Sequence, residues 1–425
     1  MQTSRIAIVG TGYVGLTTGA CLASLGHQVV CIDNDESKIQ MLRACSIPIF
    51  EDGLESLVES GLSSGNLAFS TELISSVEGA NFTFLCLPTP PNNDGTADLT
   101  TLFDVLHRLK GKFASGSIVI NKSTVPVNSA GVVAQILAQE VAVVSNPEFL
   151  REGSAVHDFL HPDRILIGCV DLSAGEKVAA LYSSLNCPIV FTDPLSAESV
   201  KYLANAFLAM KISFVNQSAL FCDAVGSNVL EVMRGLSFDP RIGSMFLNPG
   251  PGWGGSCFPK DTRALTGMAS ASGEPMSLVS EAIAANERHI HRSAQLIIEA
   301  AQKNESSIVK VAILGLSFKA DTDDSRESPA LRILQIIQDN FENVVAYDPQ
   351  AKVQNGVVSN RVNTMDEALL GADVVAILTE WDEFRNLNPI HARTLMRGNV
   401  IIDLRYLLNK EVFCNSGFSV QAFGI

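Results

Sequence analysis

The strongest constraint on this chain is a glycine triplet at a strand-to-helix junction. Gly10-Thr-Gly12-Tyr-Val-Gly15 follows the apolar run at 5–9 (RIAIV) without a break. Glycine at these positions permits a tight turn and a close backbone approach to a phosphate lying on the helix N-terminus. The next apolar run, 29–33 (VVCID), ends on Asp33, 18 residues after Gly15. That is where an acidic side chain meets the adenosine ribose in NAD-binding folds. A tight turn with no ligand is the competing reading, and the strand–helix–strand context weighs against it. A carboxylate at position 33 would also repel the 2′-phosphate of NADP.

Further apolar runs at 82–88, 117–123 and 142–146 alternate with helical patterns, the signature of a parallel sheet covered on both faces. From Ser196 to Val225 there is neither Pro nor Gly, and the spacing predicts one helix of about 45 Å. Lys201 and Asn205 would be neighbours on one of its faces. A glycine-rich loop at 250–255 comes next, then more helix to about Gln302. A second alternation starts at Lys310, with strands expected at 310–315, 343–349, 374–379 and 399–404. The expected architecture is α/β: two Rossmann-like, doubly wound parallel-sheet domains joined by a long central helix and a helical middle domain. The expected spans are 1–195, 196–305 and 306–425.

Composition narrows the partners. Lys+Arg total 30 against Asp+Glu 45, a net charge of −15, so the chain has no global attraction for nucleic acid or an anionic membrane face. The charge-free stretch from Ile6 to Ile32 is interrupted by Gly, His and Gln and reads as neither membrane span nor signal peptide. Nine scattered cysteines without CxxC spacing suggest neither a disulfide framework nor a zinc site, and a cytoplasmic setting is expected. The seven histidines are dispersed, and no metal is expected.

Four more motifs carry chemistry. In Gly254-Gly-Ser-Cys257-Phe-Pro-Lys260-Asp261, the cysteine sits between a glycine pair and an expected helix start. A helix N-terminus and a nearby lysine both favour thiolate, so Cys257 reads as a covalent nucleophile. Glu148 and Glu152, in the run 146–152 (NPEFLRE), read locally as a solvated helical pair. Lys122-Ser-Thr124-Val-Pro126 follows a strand, on the sheet edge where ligands bind. The run 314–329, with Lys319 and Arg326, occupies the position of a dinucleotide loop but lacks the glycine triplet, so it should hold something other than NAD.

Taken together, the runs GTGYVGL, KSTVP, NPEFLREGSA, ESVKYLANAFLAMKISF, RIGSMFLNPG, GWGGSCFPKD, GLSFKADTDDSRESPAL and TEWDEF make the chain resemble, over essentially its whole length, the UDP-glucose/GDP-mannose dehydrogenase family. The resemblance implies NAD-dependent, four-electron oxidation of a UDP-sugar, with UDP-glucose favoured by RIGSMFLNPG and TEWDEF. It implies that Cys257 forms a thiohemiacetal and then a thioester at C6, with Lys201 and Asn205 stabilising oxyanions. Asp261 and Thr124 would position water, and Glu152 would be the general base of thioester hydrolysis. NAD would be held by Gly10, Gly12, Val14, Gly15, Asp33, Lys38, Thr89, Thr124, Glu152, Lys260 and Arg326. The UDP-sugar would be lined by Glu148, Phe149, Leu150, Arg151, Glu152, Lys201, Asn205, Phe246, Leu247, Asn248, Pro249, Gly250, Gly254 and Lys319. Arg241 would reach an anionic part of a substrate, in a neighbouring subunit, and the long helix would form the core of a homodimer or higher homo-oligomer.

Three places depart from the family pattern. Asn128-Ser129 stand where Gly-Thr is common, Leu404-Arg405-Tyr406 where Gly-Arg-Asn is common, and Pro251 and Trp253 enlarge the loop before Cys257. Arg405 is kept, with bulkier neighbours. The competing expectations are a dehydrogenase of GDP-mannose or a UDP-N-acetylhexosamine, a catalytically silent NAD-sensing or scaffold protein, and a hydroxyisobutyrate-type dehydrogenase. The last would need neither Cys257 nor the second α/β domain.

Overall fold

The computed structural model describes residues 3–92, 95–304 and 308–425. It divides into two compact units, Met1–Ala204 and Asn205–Ile425. The expected domain boundary between residues 305 and 306 lies outside the described residues.

The first unit is built on eight strands: β1 (Arg5–Val9), β2 (Gln28–Ile32), β3 (Leu67–Ser70), β4 (Phe82–Leu85), β5 (Ile118–Asn121), β6 (Ala142–Ser145), β7 (Ile165–Cys169) and β8 (Ile189–Thr192). Their order is β3-β2-β1-β4-β5-β6-β7-β8. Successive residues of one strand feed opposite faces, as a period of two requires. Ile6, Ile8, Phe84 and Ile120 enter one core cluster, while Ala7, Val9, Leu85 and Val119 enter another. The order reverses between β1 and β4, which opens a crevice at their carboxyl ends.

One pairing departs from the expected parallel sheet. β6 and β7 run antiparallel, with Val144 opposite Cys169 and Ser145 opposite Gly168. The segment between them, residues 146–164, is an irregular loop with one six-residue helix (Ala155–Leu160). Strands β3, β7 and β8 were not expected, because short runs such as LAFS and IVFT lack a signal separable from loops.

Six helices matter below: α1 (Tyr13–Ser24), α2 (Ser129–Ile136), α3 (Pro194–Val225), α4 (Phe258–Ala271), α5 (Ser277–Gln302) and α6 (Pro329–Gln338). The central helix α3 has 32 residues, about 48 Å. It begins two residues before Ser196, because proline is tolerated in a first helical turn, where its missing N–H has no partner to lose.

The second unit carries five parallel strands: β9 (Val311–Leu314), β10 (Val344–Tyr347), β11 (Val374–Ile377), β12 (Val400–Asp403) and β13 (Ser419–Gln421). The order β10-β9-β11-β12-β13 again places a reversal beside the first strand of the sheet. The four expected strands are present; β13 is an additional edge strand. Two doubly wound α/β sheets and a long helix match the expected class. No helix among the described residues is long and apolar enough to cross a membrane.

Candidate active site

The glycine motif is set by contact. A Cβ at Gly10 (φ +99°) would lie 2.4 Å from the Cys86 carbonyl oxygen, and one at Gly15 would lie 1.9 Å from the Gly10 oxygen. Gly12, the N-cap of α1, has no neighbour within 4 Å of such a position. No acidic residue occupies the first turn of α1, and no side chain caps it. No side chain competes for the first N–H groups of this helix, which fits a pyrophosphate at its N-terminus.

Asp33 follows β2 and is held firmly. Its Oδ2 accepts from Thr11 N at 3.0 Å, Thr11 Oγ1 at 2.6 Å and Lys38 Nζ at 2.9 Å, while Oδ1 accepts from Asp35 N. Burial pushes this carboxyl up, but the bonds from Thr11 and Lys38 outweigh it and hold it at about 2. Asp33 is thus a fixed anion at the carboxyl end of β2. Thr89 Oγ1 donates to Thr124 O at 2.7 Å, tying the segments after β4 and β5 together, and Val14 is half-buried against the core of the first unit. This donor and acceptor set fits NAD.

The NPEFLRE run is a loop, and Glu148 is buried, so the solvated helical pair is overturned. Lys201 Nζ donates to Glu148 Oε1 at 2.8 Å, and Leu150 N donates to Glu148 Oε2 at 2.6 Å. Burial pushes the Glu148 carboxyl up, but the Lys201 charge and hydrogen bond hold it below its ordinary value. Arg164 stacks on the Phe149 ring, and Lys201 Nζ lies 5.6 Å from that ring's centre. Arg151 turns outward to a bidentate pair with Asp158. Glu152 is half-buried, and the next residue, Gly153, donates its N–H to Tyr13 Oη and Glu51. The tyrosine of the glycine motif therefore tethers the loop carrying Glu152.

Lys122 is a second buried cation nearby. Its Nζ donates to Asn146 Oδ1, and burial lowers its pKa to about 8. Glu198, which nothing in the sequence marked, caps α2 from a distance, and burial raises its carboxyl above the ordinary range.

In the second unit, Cys257 is the half-buried N-cap of α4, with Pro259 in the helix's first turn. Its Sγ lies 3.6 Å from Ser256 Oγ. Asp261, one turn on, donates its N–H to Cys257 O, which closes the first helical bond. The Asp261 carboxylate is buried between Lys260 Nζ at 2.7 Å and Asn205 Nδ2 at 2.6 Å. So the sequence-predicted Cys257, Asp261, Lys260 and Asn205 do gather at one helix start.

The loop before it is clamped on both sides. Gly250 N donates to Asn216 of α3, and His289 Nε2 of α5 bonds Gly250 O at 2.8 Å. Asn286 holds both the N–H and C=O of Trp253, whose indole donates to Ser213. Phe246 adopts φ +62°, and Leu247 and Pro249 are buried while Asn248 is exposed. A Cβ at Gly254 would lie 2.0 Å from Glu327 O, so only glycine fits there. Sequence reasoning missed the Asn216, Asn286 and His289 clamp, because isolated polar residues on apolar helices carry no motif.

Arg405 reaches the strand ends of the second sheet. It donates to Leu378 O and Phe318 O, pairs with Glu380, and lies against Gly250. Its bulky neighbours do not displace it: Leu404 is buried, and Tyr406 takes φ +55°, with its hydroxyl donating to Phe423 O. Asn128 likewise takes φ +78°, a conformation open to Asn as well as Gly. Lys319 is half-buried in the loop after β9. Asp348 ends β10 as Asp33 ends β2, but it is buried and accepts from Leu316 N, Ser317 N, Gln350 N and Ala351 N. Its acceptor positions are taken up inside the protein, in part by a loop that also lacks the glycine triplet. Arg241 and Arg326 are exposed, each forked onto its own neighbour, Asp239 and Asp324. Among the described residues, no group of three or more His, Cys, Asp or Glu could hold a metal.

Comparison with known proteins accords with this layout. Three segments match the UDP-glucose/GDP-mannose dehydrogenase family: its NAD-binding domain at residues 4–186, its central domain at 195–288 and its UDP-binding domain at 312–410. A UDP-glucose 6-dehydrogenase of Rhizobium meliloti is 42% identical over 437 residues, covering 99% of each chain. Among solved structures, a UDP-glucose dehydrogenase of Pyrobaculum islandicum superposes with a TM-score of 0.89 at 33% identity, covering 99% of this chain and 97% of that one. A UDP-D-ManNAc dehydrogenase of Pyrococcus horikoshii follows at 0.88 and 30%, covering 99% of both chains.

Proposed function

Since the chain belongs to the UDP-glucose/GDP-mannose dehydrogenase family and is an NAD-dependent UDP-sugar dehydrogenase, we propose that its substrate is UDP-glucose and its product UDP-glucuronate, formed through a covalent intermediate on Cys257. The observation that carries the reading is the start of α4: a half-buried cysteine as N-cap, with buried Asp261 one turn on between Lys260 and Asn205. Positive potential at a helix N-terminus favours thiolate.

The first oxidation takes a hydride from C6 and the proton of its hydroxyl and leaves an aldehyde. The Cys257 thiolate adds to that carbon, and the oxygen takes up a proton to give a thiohemiacetal. A second hydride and proton leave to give a thioester. Water then displaces the thiol and leaves the carboxylate, for two NADH per sugar. When bound, NAD supplies the hydride acceptor for both oxidations. Lys201 and Asn205 stabilise negative charge on the C6 oxygen. Glu152 takes the proton of the attacking water, which Asp261 and Thr124 orient.

Gly10, Gly12, Val14, Gly15, Asp33, Lys38, Thr89, Thr124 and Glu152 hold the cofactor, with Lys260 and Arg326 in supporting roles. The UDP-sugar takes the loop 148–152, Phe246–Gly250, Gly254, Lys319 and Arg405, with Arg241 serving a neighbouring subunit. The three-part division at 195/196 and 305/306 is kept in this reading. The exposed row Val200, Phe207, Phe214 and Phe221 on α3 repeats every seventh residue, which supports a homodimer through that helix. Nine free cysteines fit a reducing cytoplasm.

The likeness to the Pyrococcus enzyme supports a second reading, a UDP-N-acetylhexosamine as substrate. NADH release from a panel of UDP- and GDP-sugars decides. The expected result is the highest kcat/KM for UDP-glucose, with two NADH per sugar. A higher value for an acetylated sugar would establish the second reading, and one NADH with free aldehyde would refute the covalent mechanism.

A further inference from the structure

Glu198 lies on α3 one turn before Lys201 and is 4% exposed. Its carboxylate accepts from Asn128 N at 2.7 Å, Ala130 N at 2.8 Å and Ser145 Oγ at 3.1 Å, donors 53 to 70 residues away in sequence. Asn128 is the N-cap of α2, yet its own side chain makes no capping bond. Its left-handed backbone explains this, since a side-chain cap normally needs extended φ and ψ at that position. A carboxylate from another helix therefore satisfies the N–H groups at the start of α2, where the helix dipole favours negative charge.

The three segments joined by this carboxylate all carry groups of the site. The α2 start follows directly on Thr124-Val-Pro. Ser145 closes β6 immediately before the Asn146–Glu152 loop. The helix bearing Glu198 also bears Lys201. Thr124, Ser145, Glu198 and Lys201, together with Asn121, line one cleft with a water-accessible volume of about 10 Å³, room for a single water. Asn121 is 2% exposed, and its amide finds no hydrogen-bond partner among the described residues.

We infer that Glu198 is a positioning residue that locks the Thr124 segment and the Glu148 loop onto the helix carrying Lys201. It touches neither sugar nor cofactor. It holds the groups that act at C6 in one geometry, so the inference rests on the roles proposed above for Thr124, Glu148 and Lys201. Charge and shape are both required. All three partners are donors, and a carboxamide would turn its own N–H groups against at least one of them. Misplacing acting groups by about 1 Å costs on the order of a hundredfold in rate, whereas the nucleotide half of the substrate would bind as before.

The test uses the full-length chain with UDP-glucose and NAD, measuring kcat, both KM values, Tm and amide exchange over 128–136. For Glu198→Gln, kcat is expected to fall about 30-fold with the sugar KM within about twofold and faster exchange at the α2 start. Glu198→Asp, which keeps the carboxylate, is expected to recover at least about a third of that loss on a logarithmic scale. Wild-type kcat in Glu198→Gln, with only Tm and exchange altered, would overturn the inference and leave a purely structural cap. If Glu198→Gln yields no folded protein, Ser145→Ala decides, since it removes one hydroxyl donor. A kcat about threefold or more below wild type at unchanged KM and Tm upholds the inference, and an unchanged kcat overturns it. Wild-type chain that oxidises no nucleotide sugar would instead sink the functional reading, a result distinct from loss of kcat in the variants alone.

Discussion

Lys201 Nζ donates to Glu148 Oε1 at 2.8 Å, with the two side chains only 5% and 6% exposed. A buried ion pair of this kind is weak support for stability against an apolar replacement, but breaking it strands a charge in a low-dielectric interior.

The pair therefore predicts asymmetric mutants. Glu148→Gln leaves the Lys201 ammonium buried beside Lys122 and is expected to cost about 3–5 kcal/mol, measured by urea unfolding at neutral pH. The Glu148 carboxyl is held below its unfolded value of 4.5. Its stabilisation is therefore full above pH 4.5 and lost as pH falls through the folded value. Wild type should lose stability on acidification through that range, and Glu148→Gln should lose less. Parallel acid limbs would show that the pair contributes nothing.

Asp33 predicts cofactor choice. Its carboxylate stays ionised down to about pH 2, so it repels a 2′-phosphate throughout any assay range. Asp33→Asn removes that repulsion and frees Lys38 to meet the phosphate. The NAD-over-NADP preference in kcat/KM should drop by about tenfold or more, roughly 1.4 kcal/mol of discrimination. An unchanged ratio would remove Asp33 from the specificity argument.

Cys257→Ser separates chemistry from packing. Size barely changes at this half-buried position, so Tm should move by no more than a few degrees. Turnover should fall by several orders of magnitude, because a serine hydroxyl at neutral pH is far less nucleophilic than a thiolate. Intact-mass measurement after incubation with substrate and NAD is expected to reveal a slowly hydrolysing sugar-nucleotide adduct. Near-normal turnover would exclude the thiol from catalysis.

The apolar row on α3 predicts assembly. Phe207, Phe214 and Phe221 are 65%, 59% and 65% exposed, a large apolar surface for a lone helix face. Phe207→Glu with Phe214→Glu should shift light scattering from dimer to monomer by burying charge in the seam. A double variant that remains dimeric would place the interface elsewhere.

Much of this molecule was legible along the chain because the signals are local. The glycine spacing after β1, the unbroken apolar runs and the long stretch without Pro or Gly each depend on residues a few positions apart. The reversed β7 escaped, because strand direction depends on how the intervening loop packs. Cys257 was readable for the same reason as the glycines: its helix start, Lys260 and Asp261 are neighbours in sequence.

By itself, then, the sequence determined the two α/β sheets, the central helix, the dinucleotide turn and the cysteine at a helix start. Short-range periodicity and backbone sterics specify those features. Only the tertiary structure decided what each charge meets. Glu148 reads as half of a solvated pair with Glu152, yet it is buried on Lys201, 53 residues away. Nothing in the sequence marks Glu198, yet it caps a helix 70 residues distant. Asp33 and Asp348 follow equivalent strands, yet Asp33 stays half-buried on Thr11 and Lys38 while Asp348 is buried as an internal clamp on four backbone N–H groups. A carboxylate's role is set by its solvent exposure and the donors around it, and those come from parts of the chain that only folding brings together.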